Sequence, residues 1–321
     1  MQTYLLRRVL LSVPALLGVT VLIFLAMRVL PGDPLAMITG GAEGGRIYFL
    51  SDAELAAARA SLGLDRPLHE QYLSWMADVL GGRMGTSFWR DEPIAELIIR
   101  RGPISVEIAL LALLLSWVVG VPVGVVSALW RNSAVDYLSR VLVILFVAVP
   151  HFWVALIIVM VEVLFFQWQA PLAIVYPWDD LSSNLQIVAG PAFVLGLGVA
   201  AATARMARSA TLEVIHEDFV RTAHAKGLRQ GAVDFGHVLR NALLPVVTVS
   251  GLHLGGLLGG AVAVERAFNV PGLGTALVSA LGERDWMTIQ NLVLVYGVFH
   301  ALVNLLVDLS YGFLDPRIRY Q

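Results

Sequence analysis

Uncharged apolar segments recur six times along the chain and are the strongest pattern in the sequence. They cover residues 9–27, 108–130, 141–161, 181–204, 241–264 and 286–307. Each is close to or longer than the roughly 20 residues that a helix needs to cross a bilayer. The fourth opens with polar residues, so its span is expected to start near Ile187. Because backbone polar groups must pair within a span in lipid, the pattern predicts an all-α membrane protein with six transmembrane helices.

Composition agrees with a membrane location and excludes several functional classes. Hydrophobic residues make up 58% of the 321 residues, charged residues make up 14%, and the mean hydropathy is +0.76. Soluble domains carry about 25% charged residues, which argues strongly against a soluble enzyme. The absence of cysteine excludes disulfides, Cys-ligated zinc, iron–sulfur clusters and a thiol nucleophile. A net charge of -2 provides no basic field for nucleic acid.

Basic residues concentrate in alternate loops, which predicts the orientation of the chain. With the N-terminus inside, the inner segments contain Arg7, Arg8, Arg131, Arg140, Arg205, Arg208, Arg221, Lys226, Arg229, Arg240, Arg317 and Arg319. The short outer loops contain only Arg266 and Arg284. Cytoplasmic loops carry an excess of Lys and Arg, so both termini are expected in the cytoplasm. The first apolar segment is too long for a signal peptide and is interpreted as an uncleaved span.

The outer segment 31–103 has the pattern of short helices. A capping box at Ser51-Asp-Ala-Glu54 predicts a helix over 55–62. Pro67 suits the start of a second helix, and a third is expected over 94–101. These helices could pack on the membrane domain or form a docking surface for an outer partner, and the pattern leaves both interpretations open.

The inner loop 205–240 is the longest segment on the predicted cytoplasmic side. Residues 213–226 are compatible with one helix that Gly227 ends, and helical periodicity resumes over 232–243. Phe219, Val220 and Ala223 form an apolar strip on it. The strip could belong to a solvated connection or to a helix that docks into a groove of another protein, and spacing alone does not decide.

Two stretches of this inner loop carry recognisable motifs. They read Glu217-Asp-Phe-Val-Arg-Thr-Ala-His-Ala-Lys-Gly-Leu228 and His237-Val-Leu-Arg-Asn-Ala-Leu-Leu-Pro-Val246. Together they resemble the cytoplasmic loop of ABC importer permeases, most closely the dipeptide, oligopeptide and nickel branch. Further agreement comes from Leu30-Pro-Gly-Asp-Pro34, Leu62-Gly-Leu-Asp-Arg-Pro67, Phe268-Asn-Val-Pro-Gly-Leu-Gly274, and Asn304-Leu-Leu-Val-Asp-Leu-Ser-Tyr-Gly312 with Asp315-Pro-Arg317. Two positions depart from the family pattern: His224 replaces a common Arg, and Arg83 replaces a frequent acidic residue.

The resemblance implies the type I ABC importer transmembrane fold and a division of the chain into three parts. Residues 1–102 would hold the first helix (about 9–30) and the outer helical loop. Residues 103–314 would form a core of five helices, over about 104–130, 138–166, 187–209, 240–264 and 286–312. Residues 315–321 would be a cytoplasmic tail.

The resemblance also implies a transport subunit, not an enzyme, in a bacterial or archaeal cytoplasmic membrane. A second homologous permease would complete the pore, two ATP-binding-cassette ATPase subunits would hold ATP and Mg, and an extracytoplasmic binding protein would deliver the cargo. The chain has no Gly-x-x-x-x-Gly-Lys-Ser/Thr loop and is expected to bind no cofactor. Short peptides are the expected cargo, with nickel or another small solute as alternatives.

In such permeases the short helix of the inner loop couples the ATPase subunits to the spans. The residues matching it are Asp218, Arg221, Thr222, Ala223, Lys226 and Gly227. Arg221 and Lys226 are expected to make polar contacts with the ATPase, Ala223 to provide close packing, and Gly227 to form the turn. Accordingly, Gly227→Pro or Ala223→Glu is expected to abolish uptake while the chain still inserts.

Polar and small residues within the spans give further candidates. His151, His253, Asn304 and Asp308 could line a translocation path or form hydrogen bonds between helices. Gly251, Gly255 and Gly259 have small-xxx-small spacing, which suits a seam with a partner permease or packing within this chain. No metal site is predicted. An ion-coupled secondary transporter is the alternative class, although it predicts inverted repeats that the sequence does not display.

Overall fold

The computed structural model describes residues 2–29, 64–88 and 90–314. The motif at Leu30–Pro34, the capping box at Ser51–Glu54 with its helix over 55–62, and the Asp315–Arg317 motif lie outside these residues. The described residues are almost entirely helical and contain no β-strand. The all-helical prediction is therefore confirmed for this part of the chain.

Twelve α-helices and two π-helical segments account for the described part of the chain. The α-helices are α1 (Gln2–Val29), α2 (Leu68–Leu80), α3 (Ile94–Leu115), α4 (Val121–Leu129), α5 (Ala134–Ala148), α6 (His151–Phe166), α7 (Leu181–Ile215), α8 (Asp218–Ala225), α9 (Gln230–Val233), α10 (Leu239–Ala267), α11 (Leu273–Glu283) and α12 (Trp286–Leu314). The π-helical segments are Ser116–Gly120 and Asp234–Val238. The described residues divide into two compact units: unit 1 consists of those within Met1–Leu10, Arg101–Thr275 and Phe299–Gln321, and unit 2 of those within Leu11–Arg100 and Ala276–Val298.

Five helical stretches within the described residues are long and apolar enough to cross a membrane. They are Arg8–Val29, Ile94–Leu129, Leu181–Ile215, Gln230–Ala267 and Trp286–Leu309. A sixth span exists if the bent pair formed by α5 and α6 is counted as one. Each of the six predicted segments coincides with one of these elements. The segment residues that lie outside a helix are Trp130, and Val149 and Pro150 at the break of the bent pair.

The third predicted span is not one straight helix. α5 and α6 meet at an angle of 94°, with the break at Val149 and Pro150. Pro150 has no backbone N–H to donate, and it disfavours helical backbone in the residue before it. Val149 accordingly adopts an extended conformation (φ -85°, ψ 127°). The prediction of one helix over 138–166 is therefore wrong.

The entry to the second span also differs from the sequence prediction. A separate short helix was expected over 94–101, followed by a span from about 104. Instead α3 begins at Ile94 and continues through the π-helical segment into α4. Gly102 and Pro103, which follow the predicted short helix, lie within α3.

Helix α11 was not anticipated, because 265–285 was interpreted as a loop. Buried polar groups of unit 1 hold its N-terminus: Glu265 Oε2 accepts a hydrogen bond from Gly274 N at 2.8 Å, and Ser105 Oγ accepts one from Leu273 N at 2.8 Å. A Cβ atom on Gly272 would lie 2.3 Å from Glu265 Oε2. This close approach explains the glycine in the Phe268–Gly274 motif.

Helix α7 lies at the centre of unit 1 and packs against α4, α5, α6 and α10. Its contact with α4 and the preceding π-helical segment depends on two glycines. A Cβ atom on Gly120 would lie 2.5 Å from the Ala200 backbone oxygen, and one on Gly124 would lie 2.3 Å from that of Ala204. Small residues allow transmembrane helices to approach this closely. The sequence interpretation had not singled out this seam.

In unit 2, the aromatic stripe of α2 packs against α1. Trp75 is buried, its ring lies 6.3 Å from that of Phe24, and Tyr72 lies 5.3 Å from Phe24. The Tyr72 hydroxyl is also 2.8 Å from Thr20 Oγ1. These residues therefore stabilise the helix pair, which favours the packing interpretation for the stripe itself.

Candidate coupling surface

The loop after α7 contains a short helix set off by a sharp turn. α7 ends at Ile215, and Glu217 adopts an extended conformation (φ -70°, ψ 149°) before α8 begins at Asp218. The prediction of one helix over 213–226 is wrong, because this extended residue interrupts the helical backbone. Asp218 lies in the first turn of α8, where a negative charge favours the helix dipole.

The C-terminus of α8 depends on Gly227. Its φ of +78° is a left-handed conformation that glycine adopts at little cost. Gly227 N donates to His224 O at 2.9 Å, and Leu228 N donates to Ala223 O at 3.3 Å. These bonds satisfy carbonyls at the helix end, so Gly227 lies at the turn for which the sequence proposed it.

One face of α8 packs into the chain's own core. Val220 and Ala223 are 3% and 6% exposed and form an apolar cluster with Val233 and Val238 of unit 1. Close packing was predicted for Ala223, and within the described residues its packing neighbours belong to unit 1. The Ala223 methyl group packs α8 against the segment that follows, so this methyl group is not available at the surface.

The opposite face of α8 is exposed. Its residues are Asp218, Phe219, Arg221, Thr222, His224, Ala225 and Lys226. The ion pair between Arg221 and Asp218 is long, at 3.5 Å, and both side chains are largely exposed. Exposed pairs of this kind contribute about 0–1 kcal/mol, so neither charge is needed to hold the helix. Arg221 and Lys226 are therefore free to contact another molecule.

Apolar side chains accompany these charges at the surface. Phe219 and Leu228 are each 42% exposed, and Phe235 in the second π-helical segment is 70% exposed. Phe235 was not identified as a surface residue from the sequence. In the structure Val233 and Val238 are buried, and Phe235 between them faces outward. The surface thus combines mixed charge with exposed aromatic and aliphatic groups, as protein interfaces do.

The predicted glycine seam on α10 divides into two faces. A Cβ atom on Gly251 would lie 2.2 Å from Val307 Cγ2, and one on Gly255 would lie 2.9 Å from His300 Nδ1. Both glycines therefore pack within unit 1 against α12. Gly259 is exposed, and a Cβ atom there would meet no other atom within 4 Å; the same holds for Gly256 and Gly260.

The four candidate path residues have different surroundings. Asp308 is buried and pairs with Arg8 of α1, which supplies the partner that a carboxylate needs within a membrane. Asn304 lies beside Gly255, with Oδ1 3.6 Å from a Cβ built there. His151 packs over Gly198 of α7, where any Cβ atom would collide with the imidazole. His253 is partly buried on α10. The structure does not gather them into one site.

Comparison with known proteins decides the family. Residues 120–320 match the family described as "Binding-protein-dependent transport system inner membrane component", and residues 1–109 match the corresponding N-terminal family. The chain belongs to this permease family. The family expected from the sequence motifs is thereby confirmed.

The permease has close relatives over its full length. It is 38% identical to the dipeptide transport system permease protein DppB of Escherichia coli strain K12, with 100% of each chain covered. It is 35% identical to the oligopeptide transport system permease protein AppB of Bacillus subtilis strain 168 and 36% identical to the glutathione transport system permease protein GsiC of Salmonella paratyphi A, again over 100% of each chain. The family and the apolar helices establish a multi-pass membrane protein.

The two departures from the family motifs are both at the surface of this permease. Arg83 follows α2 and forms an exposed ion pair with Asp78, with Nη2 2.8 Å from Oδ1. His224 lies on the exposed face of α8 beside the candidate coupling residues. Neither substitution disturbs a buried contact, so both are compatible with the fold.

Proposed function

We propose that this permease is a transmembrane subunit of an ATP-binding-cassette importer that carries short peptides across the bacterial cytoplasmic membrane. The observation that carries the proposal is its full-length identity of 35–38% to permeases named for oligopeptide and dipeptide transport. The positive-inside distribution of Arg and Lys supports cytoplasmic termini and a cytoplasmic α8.

The proposed assembly contains four kinds of chain. A second homologous permease completes the pore, two ATPase subunits bind ATP and Mg and dock on the cytoplasmic side, and an extracytoplasmic binding protein delivers the peptide. The permease itself contributes the membrane path and the coupling surface. Its sequence has no phosphate-binding loop, which supports placing ATP hydrolysis on the partner chains.

The geometry of α8 supports its role in coupling. Only His216 and Glu217 separate α8 from α7. So short a connection would allow α8 little movement independent of α7. Val220 and Ala223 also attach it to the segment that leads into α10. A displacement of α8 by closing ATPase subunits would therefore be transmitted to α7 and α10, which would rock between inward-open and outward-open arrangements.

Charge reversal on α8 tests the coupling proposal. Arg221→Glu combined with Lys226→Glu is expected to reduce ATP-driven uptake of a labelled dipeptide by at least about 10-fold, because like charges across an interface cost several kcal/mol. Thermal stability of the purified chain should remain unchanged, since both side chains are exposed. The matched control is Arg131→Glu, an exposed arginine outside the coupling loop.

Two results would contradict these proposals. Normal uptake and normal ATPase co-purification in the doubly reversed variant would reject the coupling role of α8. Uptake by this chain without ATPase subunits, driven by an ion gradient, would reject the importer and indicate a secondary transporter. Uptake of Ni²⁺ in place of the peptide would retain the importer and correct the cargo.

The exposed glycines of α10 support a seam with the second permease. Gly256, Gly259 and Gly260 form a face without side chains, which allows another helix to approach closely. Gly259→Leu is expected to abolish co-purification of the second permease while leaving the chain folded. Gly18→Leu, at an exposed glycine of α1, is the control and should retain the partner. Equal recovery of the partner with both variants would reject this seam.

A further inference from the structure

A cavity of about 320 Å³ in unit 1 lies between α4, α5 and α7. Three guanidinium groups converge on it: Arg140 from α5, and Arg205 and Arg208 from α7. Its volume falls within the range of small-molecule sites in proteins. Positive charges that line one cavity within an apolar membrane protein need anionic partners.

One buried carboxylate pairs with arginines of the cavity wall, and its hydrogen-bonding capacity is already used. Asp136 is fully buried and receives hydrogen bonds from Arg208 Nε at 2.8 Å and Nη2 at 3.1 Å. It also accepts from Ser127 Oγ at 2.7 Å and Asn132 N at 3.0 Å. Asp136 therefore neutralises Arg208, and this bidentate pair joins α5 to α7.

The other two arginines retain donors for another group. Arg140 Nη2 lies 3.4 Å from Asp136 Oδ2, beyond good hydrogen-bond distance, and its buried Nε has no partner. Within the part of the chain that the structure describes, Arg205 forms no ion pair or hydrogen bond with a side chain or backbone group. Together these two guanidinium groups leave an excess of positive charge facing the cavity.

The rest of the cavity wall combines three serines, Ser127, Ser139 and Ser209, with apolar residues. Val123 and Val143 line it, and Ile144 at its edge is 67% exposed. Inorganic phosphate would make no use of these apolar side chains, whereas the acyl chains of a lipid would. Guanidinium groups pair especially well with phosphate oxygens, and basic pockets between transmembrane helices are typical lipid headgroup sites.

We propose that this cavity binds the phosphate group of an anionic phospholipid. Arg140 and Arg205 donate to the phosphate oxygens, and the acyl chains lie along Val143 and Ile144. The Asp136–Arg208 pair holds the two helices at the spacing that the site needs. The distribution of basic residues places the site in the cytoplasmic leaflet, where anionic lipids provide a negative surface potential.

Lipid binding to the purified chain, together with the subunits that co-purify with it, tests the proposal. Native mass spectrometry after titration with phosphatidylglycerol should detect tighter binding than with phosphatidylcholine. Arg140→Gln with Arg205→Gln should weaken phosphatidylglycerol binding by about 30-fold, since each arginine near the headgroups contributes about 5-fold. Arg131→Gln, at an exposed arginine that does not line the cavity, should change it less than about 2-fold.

A photoactivatable phosphatidylglycerol provides a readout that needs no variant. Label should appear on α5 and on the C-terminal half of α7 of the unaltered protein. Absence of label there, or equal binding of the two lipids, would overturn the proposal. Equal weakening by Arg131→Gln would indicate general surface charge, and displacement of the lipid by millimolar inorganic phosphate would indicate a free phosphate site. Either of these last two results would also overturn it.

Discussion

Replacing Gly124 with leucine is expected to leave almost no folded permease. Gly124 lies where α4 crosses α7, and a Cβ atom there would come within 2.3 Å of the Ala204 backbone oxygen and 2.8 Å of Ala207 Cβ. The first obstacle is helix backbone, which cannot rotate away as a flexible side chain would. Leucine would force the two helices apart along their whole contact.

The expected cost exceeds that of ordinary overpacking. Extra methylenes in a packed core typically cost about 1–3 kcal/mol where side chains can adjust. Here α7 must move, and it also carries the contacts with α5, α6 and α10. Because proteins are stable by only about 5–15 kcal/mol in total, a loss above about 3 kcal/mol should be visible as aggregation and degradation.

The measurement is the yield of monodisperse protein after detergent extraction, followed by thermal unfolding of whatever remains. Gly18→Leu is the matched control, since that glycine lies in an apolar span with no atom within 4 Å of its built Cβ. The control should behave as the unaltered chain does. A monodisperse Gly124→Leu variant with unchanged Tm would show that α4 and α7 do not meet as described.

This seam illustrates what the sequence could not supply. Glycine spacing drew attention to α10, where Gly251 and Gly255 do pack against α12, but Gly120 and Gly124 have the same four-residue spacing within a Val-rich run and were not singled out. Apolar periodicity identifies which segments are helices. It does not tell which other helix a glycine faces, because that depends on contacts between residues about 80 positions apart, such as Gly124 and Ala204.

The predicted helix boundaries were wrong where local sequence signals and tertiary contacts disagreed. A short helix was predicted to end at residue 101, yet α3 continues through Gly102 and Pro103. Pro150 was placed inside a predicted span, yet there the chain bends by 94°. The start of α11 depends on Glu265 and Ser105, whose hydrogen bonds to its first N–H groups cannot be read from spacing.

The sequence predicted the position of the coupling helix α8 better than it predicted which face of α8 is buried. Charge pattern and motif located α8, and the glycine after it is at the turn. The apolar strip was less informative, because three apolar residues do not show which of them face the chain's own core. Val220 and Ala223 face inward, and Phe219 faces outward.

This division gives two alanines of α8 opposite expected responses to the same substitution. Ala223→Glu would place a carboxylate among Val220, Val233 and Val238, where an uncompensated charge costs about 3–5 kcal/mol. Ala225 is exposed two residues later, so Ala225→Glu should change stability by less than about 0.5 kcal/mol. Only the first variant should detach α8 from the segment leading into α10.

Limited trypsin digestion measures this detachment directly, since Arg221, Lys226 and Arg229 provide cleavage sites in the loop. Ala223→Glu should be cut there at least about 10-fold faster, because the rate follows the population of the opened loop, and peptide uptake should be lost with it. Ala225→Glu should be cut at the unaltered rate. Equal cleavage of both variants would mean that α8 is held by something other than its buried face. Slow cleavage with lost uptake in Ala223→Glu would return Ala223 to the docking surface, as its motif position first suggested.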